Sequence, residues 1–200
     1  MSPFELVFVV FGLLLGLALS EVLAGFSRAL KVARGPQSVR IGWLVPLLGL
    51  VVMLDLSTFW LLAWNMRDQV DANYPTLVGV LVVVGGYYLA ATLIFPDAIE
   101  EWPDLDAWYL RQRRLVLGGL LGANVASWLG QIALTLTHAA RPSTAPPAEP
   151  LREAISDITG VAIIPVLITL LFVRSTRWNV ALLILLSALL LVSGSTEVPG

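Results

Sequence analysis

The chain contains no cysteine, which excludes disulfides, thiolate metal sites, iron–sulfur clusters and Cys nucleophiles together. Its single histidine, His138, leaves no means of building a bis-histidine haem or a multi-histidine metal site. Charge is scarce as well, at 13% of residues, where soluble domains carry about a quarter. Twelve Lys plus Arg stand against fourteen Asp plus Glu, and with no long basic run there is no electrostatic footprint for nucleic acid. Catalytic signatures are missing too. There is no HExxH zinc motif, no serine elbow flanked by glycines and no glycine-rich phosphate loop. No span holds a lysine for a retinal Schiff base, and Ser193-Gly194-Ser195 has no paired base. Neither an enzyme nor a metal or cofactor is therefore expected.

What the chain has in excess is apolar sequence. Hydrophobic residues make up 58% of it and the mean hydropathy is +0.85, well outside the soluble range. A membrane helix needs about 20 mostly apolar residues to cross a hydrocarbon core of roughly 30 Å. Six runs qualify, near 4–26, 41–64, 75–95, 115–137, 155–173 and 178–192. The expectation is an all-α polytopic membrane protein of one domain, without a soluble module on either side.

The basic residues set its expected sidedness. Arg28, Lys31, Arg34 and Arg40 follow the first span, Arg111, Arg113 and Arg114 the third, and Arg174 and Arg177 the fifth. Only Arg67, Arg141 and Arg152 fall on the other side. Short loops rich in Lys and Arg stay in the cytoplasm, so both termini are expected outside a bacterial-type inner membrane. The leader Met1-Ser2-Pro3-Phe4-Glu5 carries an acid and no basic n-region, which favours a first helix kept as an anchor over a cleaved signal peptide. Trp43, Trp64, Tyr74 and Trp178 fall at span ends, where amphipathic rings suit the headgroup layer. Trp60 and Trp128 lie deeper and call for partners inside the bundle.

Two acids stand out well inside the spans. An ionisable group in the membrane costs about 2.5–3.5 kcal/mol on insertion scales and is by default a functional candidate. Asp55 lies near the middle of the second span and Glu21 toward the cytoplasmic half of the first. The fourth span adds Asn124, Ser127, Gln131, Thr135 and His138, whose spacing places them on one helix face. Thr58 shares a face with Asp55, while Ser57 points elsewhere. Facing the two stripes gives a polar seam running outward from Asp55, with Glu21 extending it inward. One reading is a pathway for protons, ions or a small solute, since a proton-binding carboxyl is what a proton-linked carrier requires. The plainer reading is an interhelical hydrogen-bond network, in which Asp55 accepts from Asn124 or Trp128 and Glu21 reaches Arg28; such bonds contribute about 0.6 kcal/mol each. His138 reads as a solvated interfacial residue.

Two connections stand out. Residues 139–152 include Pro142, Pro146, Pro147 and Pro150 and read as an extended outer linker. In the cytoplasmic segment 96–114, Asp104 is placed to cap a short helix whose Trp102, Leu105 and Trp108 form an apolar face lying in the headgroups. With Asp106, these residues (Trp102, Asp104 and Trp108) are candidates for docking a partner. Finally, Gly12, Gly16, Ser20 and Ala24 on the first span, and Gly118, Gly122, Ala126 and Gly130 on the fourth, recur every fourth residue. Such stripes allow close helix approach, and their correspondence suggests two inverted halves of three spans. The functional expectation is a small permeation protein that works as a homo-oligomer. The alternative is a non-catalytic scaffold or accessory subunit that binds other membrane proteins.

Overall fold

The computed structural model describes residues 3–35, 39–67, 73–138 and 150–197. Six helices account for most of them: α1 (Pro3–Ala33), α2 (Leu44–Asn65), α3 (Tyr74–Thr92), α4 (Leu105–His138), α5 (Pro150–Phe172) and α6 (Thr176–Glu197). All six are long and apolar enough to cross a membrane, which makes this an all-α, multi-pass membrane protein. Large apolar side chains such as Leu13, Leu81, Leu136 and Leu191 are exposed on the outside of the bundle, as lipid-facing helices require.

The helices run alternately up and down. Phe8, near the start of α1, meets Trp64 at the end of α2, with ring centroids 5.8 Å apart. Arg152 at the start of α5 donates to the carbonyls of Thr196 and Ser195 at the end of α6. At the opposite, arginine-rich end, the loops before α2 and α4 are joined. The Arg40 N–H donates to Pro103 O and the Leu105 N–H to Arg40 O, each at 3.0 Å, a single rung of parallel β-bridge. Within the bundle α1 packs on α3, α3 on α4, α4 on α5, α5 on α6, and α6 on α2. Helix α2 also touches α1, α3 and α4, and so runs through the centre.

The N-terminus of α2 is capped from another helix. Trp43, at its N-cap, supplies no side-chain bond, and the Leu44 N–H instead donates to Asp106 Oδ1 at 3.0 Å. A carboxylate there satisfies an orphan donor and meets the positive end of the helix dipole. Gly42 makes this approach feasible, because its φ is +66° and a Cβ at this position would collide with the Asp106 carboxyl. Helix α3 is capped locally, with Asn73 Oδ1 accepting from the Thr76 N–H at 2.9 Å.

The segment 96–114 differs from the expectation. Asp104 does cap a helix, its Oδ1 accepting from the Asp106 N–H at 2.9 Å, but that helix is α4 itself and continues unbroken into the fourth span. The separate helical piece in this segment is a single 3-10 turn, Ile99–Glu101, ahead of α4. Leu105, Tyr109, Arg113, Val116, Leu117 and Leu120 form one buried face at helical spacing, and this continuous stripe keeps the first turns of α4 in the bundle. The connection after the fourth span is also shorter than expected, since α5 starts at Pro150, a residue well suited to a first helical turn; residues 139–149 lie outside those described.

The small-residue stripes do not pack alike. A Cβ at Gly12 would meet the Trp60 ring, which also stacks edge-on against Phe8, whereas Gly16, Gly118, Gly122 and Gly130 have nothing within 4 Å of that position. Close approach in α4 occurs one residue over, where Gly119 lies against Ala90 and the Gly86 carbonyl of α3.

Candidate functional site

Asp55 is 4% exposed at the centre of the bundle. Its Oδ2 accepts two hydrogen bonds, from Tyr87 Oη at 3.1 Å and from Asn124 Nδ2 at 2.9 Å. Three helices are thereby tied at one atom: α2 brings the acid, α3 the phenol and α4 the amide. The second Asn124 bond, Nδ2 to Leu120 O at 3.0 Å, fixes the amide orientation. Of the two donors expected from sequence, Asn124 is the one used. Trp128 is instead half-exposed. Tyr87 was not anticipated, because in sequence it is one of a tyrosine pair inside an otherwise apolar span.

Beside this cluster lies a cleft of about 440 Å³ between α4 and α5, backed by α2 and α6. Asn124, Ser127, Trp128 and Gln131 line it from α4, Thr58 and Leu62 from α2, and Ser193 from α6. From α5 come Ser156, Asp157, Gly160 and Val161, with Ile163 and Ile164 behind them. Four candidates from the sequence, Thr58, Asn124, Ser127 and Gln131, thus meet on one wall-to-wall surface. The side chains of Thr135 and His138 lie outside the described residues. Asp157 is an addition, an exposed carboxylate that has no ion-pair partner among the described residues. Trp128 and Val161, both about half-exposed, flank the opening.

Toward the arginine-rich end the cleft stops. Leu48, Val51 and Val52 of α2, with Leu117 and Leu120 of α4, are all buried and form an apolar layer beyond Asp55. Glu21 does not bridge it. That acid lies on α1 and accepts from Arg28 Nη2 at 3.2 Å, both side chains being partly exposed, in keeping with the plainer reading of the pair.

A second buried polar cluster sits at the arginine-rich end. Arg113 is 4% exposed, and its Nη1 donates to Asn179 Oδ1 at 3.2 Å, to Leu170 O at 3.4 Å and to Val173 O. Asn179, fully buried, also accepts from Tyr109 Oη at 2.8 Å and donates to the Val173 and Ser175 carbonyls. These bonds close the C-terminus of α5 and the turn into α6, where a cation meets the negative end of the helix dipole. The signal in sequence was the i, i+4 spacing of Leu105, Tyr109 and Arg113, which continues the buried face of the span backward.

The expected docking residues are joined to one another. Trp102 and Trp108 pack edge to face at 5.0 Å, Trp108 Nε1 donates to Ile94 O at 3.0 Å, and the Arg111 guanidinium lies 5.8 Å from the Trp102 ring centre. Asp104 and Asp106 cap α4 and α2 as described. Together they fasten the α3–α4 connection. Among the described residues no three His, Asp or Glu side chains converge as metal ligands.

Comparison with protein-family models, with curated proteins and with solved structures gave no match.

Proposed function

We propose that this protein is a small permeation protein of the inner membrane, with both termini outside, and that the cleft is the outward half of its pathway. The observation that carries the reading is the gathering of Thr58, Asn124, Ser127 and Gln131, with Asp157 and Ser193, around one cavity within the bundle. Polar groups at membrane depth are expensive, and a cavity that concentrates them from four helices fits a route for something polar. Asn124 links the cleft to the Asp55 carboxyl, and the apolar layer beyond Asp55 serves as the barrier that passage must open. At this size a homo-oligomer is the natural working unit.

The test is flux. Full-length protein in liposomes with an internal pH-sensitive dye should dissipate an imposed gradient faster than empty vesicles, and Asp55→Asn should slow it at least tenfold. Rates equal to those of empty vesicles for wild type overturn the proposal. Sidedness has its own check, because a chain without cysteine accepts single-cysteine labels cleanly. Tyr74→Cys should react with an impermeant reagent from outside and Asp97→Cys only after lysis.

A second reading, an accessory subunit, draws on the open faces at Gly118, Gly122 and Gly130. Co-purification from native membranes with a stoichiometric partner would favour it, and emergence of the chain alone would count against it.

A further inference from the structure

The cleft has a chemical bias that its residue names conceal. Thr58 Oγ1 donates its proton to Leu54 O at 3.0 Å, and Ser127 Oγ donates to Ala123 O at 2.8 Å. A hydroxyl whose hydrogen is committed to its own helix offers only lone pairs to the cavity. The Asn124 amide nitrogen is likewise spent on Asp55 and Leu120, leaving its carbonyl oxygen as the free end. Pro165 withholds the N–H that the carbonyl of Val161, on the cleft wall, would ordinarily accept. Asp157 contributes a full carboxylate. Against these acceptors, no Lys, Arg or His among the described residues lines the cleft. Arg152, one turn before Ser156, is turned to the α6 carbonyls of Ser195 and Thr196.

Gln131 and the Trp128 indole add neutral donors to these acceptors, so the charge decides: a cavity holding a carboxylate with no ion-pair partner among the described residues selects a cation that also donates. Its volume, about 440 Å³, falls in the range of sites for small organic ligands, far larger than a dehydrated metal ion requires. Trp128, half-exposed among the lining residues, supplies an aromatic ring of the kind ammonium groups prefer. We propose that the cleft between α4 and α5 binds an organic ammonium ion, with Asp157 as its counter-charge and Trp128 as its aromatic wall. This deepens the permeation reading by naming what enters. The same ammonium group occurs on free amines and on ethanolamine lipid headgroups, and an opening between two helices admits either source.

Full-length protein in nanodiscs of phosphatidylglycerol alone is titrated with ethanolammonium chloride or tetramethylammonium chloride. Sodium chloride at matched ionic strength and neutral glycerol serve as controls, and the thermal unfolding midpoint is the readout. The ammonium salts should raise the midpoint saturably and the controls should not. Asp157→Asn should weaken the response at least tenfold, Trp128→Leu should weaken tetramethylammonium more than ethanolammonium, and Glu101→Gln in the α3–α4 loop should change nothing. Retention of phosphatidylethanolamine over phosphatidylglycerol in native mass spectrometry, lost in Asp157→Asn, identifies the headgroup as the source. Its absence beside a positive titration identifies the free amine. A midpoint that follows ionic strength alone, an equal response to glycerol, or an unchanged response in Asp157→Asn overturns the proposal. Ammonium binding without flux in liposomes leaves this site standing and removes the permeation reading; flux without an ammonium response does the reverse.

Discussion

Asp55 and Arg113 are both ionisable, both buried to the same degree, and held by opposite means. The acid sits in mid-helix, where every nearby backbone N–H is already used, and depends on side-chain donors from two other helices. The base reaches a helix terminus, where unpaired carbonyls and the dipole supply most of its environment. Asn124 and Arg113 are eleven residues apart on α4, about 16 Å of helix rise, so the two charges do not pair. Arg113 is therefore bound to the fold, since any chain making this α5–α6 turn presents the same carbonyls. Asp55 is bound to particular side chains, one of which also faces the cleft.

The largest effect expected from this difference is at Arg113. Arg113→Met should cost about 3 kcal/mol, because it withdraws several charge-assisted bonds from a closed helix end. Arg113→Lys should recover less than half, since an ammonium lacks the guanidinium fork. Thermal unfolding in nanodiscs measures both, and full rescue by Lys would show that charge, and not geometry, holds the turn. Next in size is Asp55→Ala, which leaves the buried Tyr87 hydroxyl without an acceptor and should cost about 2 kcal/mol. Asp55→Asn keeps an accepting oxygen and should stay within about 1 kcal/mol of wild type. A large loss in Asp55→Asn would mean that the negative charge itself is structural, and the contrast with Arg113 would collapse.

The parts legible in sequence follow the same division. Six spans, the exposed aromatics at their ends and the polar face of α4 all came from periodicity and hydropathy, which act locally along one helix. Asn124 as the partner of Asp55 was within reach because both lie near mid-span. Tyr87 and Asn179 were not, since which helix faces which is set by packing across the bundle; Asp157 stood inside the fifth run, near its start, where the same rule that singles out Asp55 would have found it. Arg113 was misplaced for another reason. Its cluster with Arg111 and Arg114 reads as a solvated loop until the buried stripe from Leu105 is followed through it. The same stripe removes the flat interfacial helix. The run from 96 to 114 has the composition of a surface segment, but Asp106 and Trp108 spend their polar atoms on Leu44 and Ile94.

A smaller effect is expected at Gly42, where the loops before α2 and α4 are joined beside the Arg40–Asp104 ion pair, 3.8 Å apart. Gly42→Ala should cost about 1–2 kcal/mol for the left-handed backbone alone. It also displaces Asp106 from the Leu44 N–H, so hydrogen exchange at the first turn of α2 should rise while that near Asp55 stays unchanged. Faster exchange at both places would show that the two regions are one cooperative unit, contrary to the independence inferred from their separation.

The finest test concerns Oδ2 of Asp55, where two donors converge. Tyr87→Phe alone leaves Asn124 in place, and Asn124→Ala alone leaves Tyr87, so each should cost only about 1 kcal/mol. Removing both strips the buried acid of its side-chain donors, and the double variant should lose more than the two singles together, by about 1 kcal/mol. Introducing Asp55→Asn into the same background should erase that excess, because a neutral amide tolerates the loss of donors better than a carboxylate does. Strict additivity would place the acid in contact with water from the cleft, which replaces each donor as it is removed. Asp55 would then resemble the exposed Asp157 more than the enclosed Arg113, and the barrier to permeation would have to lie wholly in the leucine and valine layer beneath it.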